Sequence, residues 1–133
     1  MRDALLVVIG FLTGGLLIGG LWFVTPAWAF SSKDLAKLEA TNECPKCDLD
    51  LANLRKGDLR NAKLDMAFMI GAKMRGADLR GATLTKTTFN KTLLRGANLT
   101  GLDLSTALMD KAKLTGAILC KTKLPWGEDN SGC

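Results

Sequence analysis

Every fifth residue from Leu49 to Leu124 is large and apolar, sixteen times in succession. Twelve are Leu, three are Met (Met69, Met74, Met109) and one is Phe89. Two positions ahead of each stands a mostly small residue, Ala in ten of the sixteen cases. Neither common element accommodates this spacing. In an α-helix a step of five turns a side chain by about 140°, so the row spirals off any one face. In a flat strand an odd step sends it to the opposite side. The row stays together only if the backbone changes direction once every five residues. The chain must therefore wind as short extended segments joined by corners around a filled centre, a stacked architecture.

The repeats leave little over. With 133 residues and 47% hydrophobic composition, the chain has room for one compact domain and a leader. Ala4 to Val24 carries no charge, follows Arg2 and Asp3, and runs on to Ala27-Trp28-Ala29. An apolar stretch before a small-x-small site is the pattern of a secretory signal peptide, cleaved here after Ala29. The same run is long enough to cross a bilayer, so residues 4–24 are alternatively an uncleaved anchor. Either outcome exports the remainder. The expected division is leader 1–29, capping helix and lead-in 30–46, repeats 47–126 and tail 127–133.

Composition narrows the chemistry. Four Cys agree with an oxidising compartment. His and Tyr are absent, which removes the commonest general base and metal ligand. No nucleophile–base set and no phosphate loop stands in the chain, so we expect no enzyme, no cofactor and no metal. The Met residues occupy inward positions and read as core rather than as ligands. A net charge of +5 permits an acidic partner or an anionic surface.

Ser31 to Thr41 predicts a short helix. Ser31 and Asp34 have the spacing of a capping box, and Leu35 and Leu38 share one side. Such a helix would cover the first coil, whose backbone edge needs protection.

From Cys47 to Trp126 the frame holds without insertion. Ala52-Asn53-Leu54-Arg55-Lys56, Ala77-Asp78-Leu79-Arg80-Gly81 and Ala97-Asn98-Leu99-Thr100-Gly101 resemble the A-(D/N)-L-x-x unit of pentapeptide-repeat proteins. The resemblance implies an all-β solenoid, a right-handed quadrilateral β-helix with four units per turn and hence about four coils. The flanks Thr41 to Leu49 and Cys120 to Cys133 are similar to those of exported members in photosynthetic bacteria and thylakoid lumens. Periplasm or thylakoid lumen is the implied location, with membrane contact only through an uncleaved leader. Some members protect topoisomerases by mimicking duplex DNA, which calls for an acidic rod in the cytosol. This basic, exported chain argues against that role and against nucleic-acid binding.

On the coil so implied, Cys47 and Cys120 lie about 17 Å apart, beyond the reach of a disulfide. Cys44–Cys47 and Cys120–Cys133 are the preferred pairs, while a tail running backwards leaves a bond from Cys133 to the lead-in open. Cys44-Pro45-Lys46-Cys47 also has the spacing of thiol oxidoreductases, so a redox role is the alternative function.

Residues twenty apart would stack in columns. Arg55, Arg75 and Arg95 form an outward row ending in Thr115, beside Asn53, Lys73 and Leu93. Arg60 and Arg80 form another, balanced by Asp58 and Asp78. An Asx row of Asp58, Asp78 and Asn98 ends in Ile118 and predicts bonds to neighbouring backbone. Glycines such as Gly71 and Gly81 suit the corners. Thr87, Thr92 and Leu102 break the small-residue rule and predict local bulges, and Trp126 is expected to cover the last coil. The functional expectation is a rigid interaction or assembly module for an unidentified protein; the Arg55–Arg75–Arg95 row is either its docking column for an acidic partner or an anionic lipid headgroup, or a plain solvated basic edge.

Overall fold

A computed structural model describes residues 31–133; the expected signal peptide or anchor lies outside the described residues. Each five-residue unit divides into three extended residues and two corner residues. In Ala77-Asp78-Leu79 the first and last side chains point inward, 1% and 0% exposed, and Asp78 points out. Arg80 and Gly81 then turn the chain, closed by a bond from the Ala82 N–H to the Leu79 carbonyl of 3.0 Å. Gly81 has φ +74°, so the corner has the bond and dihedral of a type II turn. In–out–in followed by a turn is why the inward row has a period of five.

Parallel bridges join residues twenty apart, from Glu43↔Lys63 to Asp103↔Lys123, so four units complete one circuit. Leu79 donates down the stack to the Asn98 carbonyl at 3.0 Å, and Asn98 donates back to Ala77 at 2.9 Å. The sides are bridges of single residues rather than continuous strands, because a corner interrupts every fifth residue. This qualifies the all-β expectation: among the described residues the strands proper are β1 (Thr122–Leu124) and β2 (Gly127–Asp129), an antiparallel hairpin after the last circuit.

The interior is the row read from the sequence. Of its sixteen residues all are buried except Leu114, which is partly covered. A fully buried side chain of this size contributes about 1.5–3 kcal/mol. Thr87 and Thr92 produce no bulge. Their hydroxyls donate inside the wall to the carbonyls of Leu64 at 2.9 Å and Met69 at 2.6 Å. A buried hydroxyl that finds an acceptor substitutes for the small apolar residue without moving the frame. The irregularity falls instead at the corner after Leu102. Of the sixteen second-corner residues from Lys46 to Lys121, Thr106 alone lacks a positive φ.

Six of those positive-φ corners are Gly and nine are not. Gly81→Ala would push a methyl into the Asn61 side chain and force Ala into the left-handed region. We expect that change to cost about 1–2 kcal/mol. Lys86→Gly, at φ +56°, is expected to gain up to about 1 kcal/mol, since only the side-chain clash is removed. Urea midpoints of the two variants should move in opposite directions; movement the same way would contradict the corner assignment.

Both ends are closed. Helix α1 (Ser32–Thr41) starts at Ser31, whose hydroxyl accepts the Asp34 N–H at 3.2 Å, and ends at Asn42 in the left-handed region. Leu35 and Leu38 are buried against the coil. The reciprocal half of the capping box is not made. The Asp34 carboxylate instead accepts the Asp48 N–H at 2.9 Å, and Ser31 donates to the Asp48 carbonyl at 3.1 Å. The cap thus fastens the helix to the first circuit. At the other end the tail lies under the last one, with Ser131 accepting from the Leu119 N–H at 2.8 Å and Asn130 from the Lys121 N–H at 3.0 Å. Disulfides join Cys44 to Cys47 and Cys120 to Cys133. Trp126 does not cover the core: it forms part of the hairpin turn, which carries it outward, and it is 64% exposed.

Candidate functional site

The circuit has four sides, and one is chemically unlike the rest. It is built on the inward residues Leu54, Met74, Leu94 and Leu114. Its twenty residues include six cations, Arg55, Lys56, Lys73, Arg75, Arg95 and Lys113, and no acid. The whole chain carries +5, so everything outside this side is net negative by one charge. The extended trio and corner fix the direction of each side chain: Lys73 and Lys113 leave from bridge residues, while Arg55, Arg75 and Arg95 leave from the following corners. The three arginines, Leu93, Lys113 and Thr115 line a shallow cleft of about 360 Å³. Leu93 is 39% exposed among the cations. The expected arginine row is therefore assembled by the fold. Lys113 joins it through the bridge Leu93↔Lys113, a neighbour visible in the sequence only once a circuit of twenty is assumed.

On the other sides Arg60, Arg80, Lys63 and Lys123 pair with acids. Arg60 and Arg80 reach back two residues to Asp58 and Asp78, each at 2.7 Å. Lys63 meets Glu43 at 2.5 Å. None of the ion pairs among the described residues involves Arg55, Arg75 or Arg95. The side-chain bonds from Arg60 hold the Asp58 carboxyl down at about 2, and Arg80 lowers Asp78 in the same way. A carboxyl whose pKa is lower folded than unfolded adds stability above the ordinary carboxylate range and loses it as pH falls through the folded value. Both pairs face water, so this contribution is small.

The Asx row serves the corners. The backbone N–H of Arg60, Arg80 and Thr100 donate to Asp58, Asp78 and Asn98 at 3.2, 3.2 and 3.1 Å. Those oxygens diverge along the wall, and no group of acidic residues or cysteines among the described residues converges as a metal site. Both Cys44 and Cys47 are buried and bonded to each other. One further row has no period-five signature of its own in the sequence. On the neighbouring side Phe68 and Leu108 are 49% and 58% exposed, on bridge residues occupied by Asp48 and Thr88 in the other circuits.

The family model for pentapeptide repeats matches eight copies over residues 52–90, 67–101 and 89–124. A search of curated proteins returns no match. Among solved structures, the chain is similar to HetL of the cyanobacterium Nostoc sp. strain PCC 7120, a pentapeptide repeat protein involved in heterocyst differentiation regulation. The two are 32% identical with a TM-score of 0.38, over 64% of this chain and 41% of HetL, so this chain spans well under half of that protein. A second Nostoc PCC 7120 pentapeptide repeat protein is 27% identical over 72% of this chain and 80% of its own, with a TM-score of 0.36. One from the Arabidopsis thaliana thylakoid lumen is 18% identical over 62% and 65%, with a TM-score of 0.25. Matched across residues 52–124, more than half its length, and wound four units to the circuit, the chain belongs to the pentapeptide-repeat family of right-handed quadrilateral β-helices.

Proposed function

We propose that this protein is an exported, non-enzymatic interaction module, a rigid rod of about four coils that docks an acidic protein on its Arg55–Arg75–Arg95 side. The observation that carries the proposal is the charge division: six cations and no acid on one side of a molecule that is otherwise slightly negative. Cations stacked at the coil spacing of about 4.8 Å repel one another, and an acidic partner relieves that repulsion. Rigidity supports the same reading, because bridges between successive circuits hold the row in register without the partner. The apolar leader and two disulfides support the periplasm or a thylakoid lumen as the place where this happens.

Changing Arg55, Arg75 and Arg95 together to Ser leaves the interior untouched. Recovery of the partner from the exported compartment on the immobilised variant is expected to drop by about tenfold or more, from three charge contacts. Wild-type recovery should also fall steeply with added salt. Equal recovery on wild type and variant would end this reading.

A further inference from the structure

We propose that the acidic partner presents an α-helix lying parallel to the coil axis, with carboxylates at i, i+3 and i+7 set against Arg55, Arg75 and Arg95. This rests on the docking of an acidic protein argued above and names the element that docks. The three arginines leave equivalent corners of successive circuits, in register with the bridges Asn53↔Lys73 and Lys73↔Leu93 beside them. Two coil steps make the row about 10 Å long. A helix rises about 10.5 Å over seven residues, so carboxylates at i, i+3 and i+7 match that length within the reach of flexible guanidinium arms. An extended segment places its same-side residues about 13 Å apart over two steps, a poorer match to the row. Leu93, half-exposed between Lys73 and Lys113, supplies an apolar contact for a side chain next to the acidic stripe.

A second copy of this chain is a poor occupant. The proposal calls for a helix with three acids on one stripe, and α1, the one helix among the described residues, carries only Asp34 and Glu39, the first of them bonded to Asp48.

The test uses the whole exported protein and two peptides of about 20 residues, long enough to form a helix. Both have the same Ala, Leu and Glu composition; one places Glu on a single helical stripe and the other scatters it. Fluorescence anisotropy at low salt is expected to show the striped peptide binding about tenfold tighter. The triple change of Arg55, Arg75 and Arg95 to Ser should abolish that difference, and Phe68→Ser on the adjacent side should preserve it. Equal affinity of the two peptides overturns the helix proposal while leaving the docking of an acidic protein intact. No binding by either peptide overturns it as well. Binding of phosphatidylglycerol vesicles in preference to the striped peptide overturns it in favour of a lipid surface.

Discussion

Leu79→Ala is expected to lower the unfolding free energy by about 2–5 kcal/mol, the range for emptying a well-packed core site. Leu79 is fully buried in the second circuit, stacked between Leu59 and Leu99. Its backbone is held from both sides, since Leu79 donates to Asn98 and the preceding Asp78 donates to Gly57 at 3.0 Å. Tight holding limits collapse around the cavity, which moves the cost toward the upper part of the range. A solenoid also depends on contacts between neighbouring circuits, so a void in the middle weakens two interfaces at once. Leu114→Ala is the companion measurement. Leu114 faces inward in the last circuit but is only partly covered, and its loss should cost less than half as much. Urea unfolding of both variants checks this. Equal losses would mean that the interior row is not what holds the stack.

The second large effect concerns the tail. Removing the Cys120–Cys133 bond by changing both residues to Ser is expected to cost about 3 kcal/mol, from the chain entropy of a loop of this size. The bond spans thirteen residues, whereas Cys44–Cys47 spans three and should cost only about 2 kcal/mol on the same account. The loss at the tail should also be visible locally. Leu119 and Lys121 donate their N–H groups to Ser131 and Asn130, so their amide exchange should accelerate ahead of the Leu79 amide. Uniform acceleration along the whole rod would instead mean that the tail acts on global stability rather than as a local cover.

Much of the fold was legible because each unit is a local instruction. Ala77 and Leu79 face inward whatever the next circuit does, since three extended residues alternate and a corner follows. The glycines marked some of the corners but not all. Lys56, Met66 and Lys86 adopt the same left-handed conformation, and nothing in their chemistry asks for it. They are held there because the inward residues that flank each two-residue corner, such as Leu54 and Gly57 around Arg55-Lys56, are buried and bonded to the next circuit. The expected bulges at Thr87 and Thr92 failed for a related reason. Size alone makes Thr a poor replacement for Ala, but the carbonyls of Leu64 and Met69 stand within reach of the hydroxyls once circuits are stacked. Asp34 was legible as a helix-start residue, yet its carboxylate bonds Asp48, a partner fourteen residues away.

The candidate site divides along the same line. The absence of acid from the five-residue units that carry Arg55, Arg75 and Arg95 is a fact of the sequence, as is the nearness of Asp58 to Arg60. The sequence by itself determined which side chains fill the interior and which face water, because in–out alternation and corners act within five residues. Only the tertiary structure decided which outward residues are neighbours, from the arginine row and Lys113 to the exposed Phe68 and Trp126. Those adjacencies depend on how many units close one circuit, and that number is fixed by hydrogen bonds between residues twenty apart rather than by any unit alone.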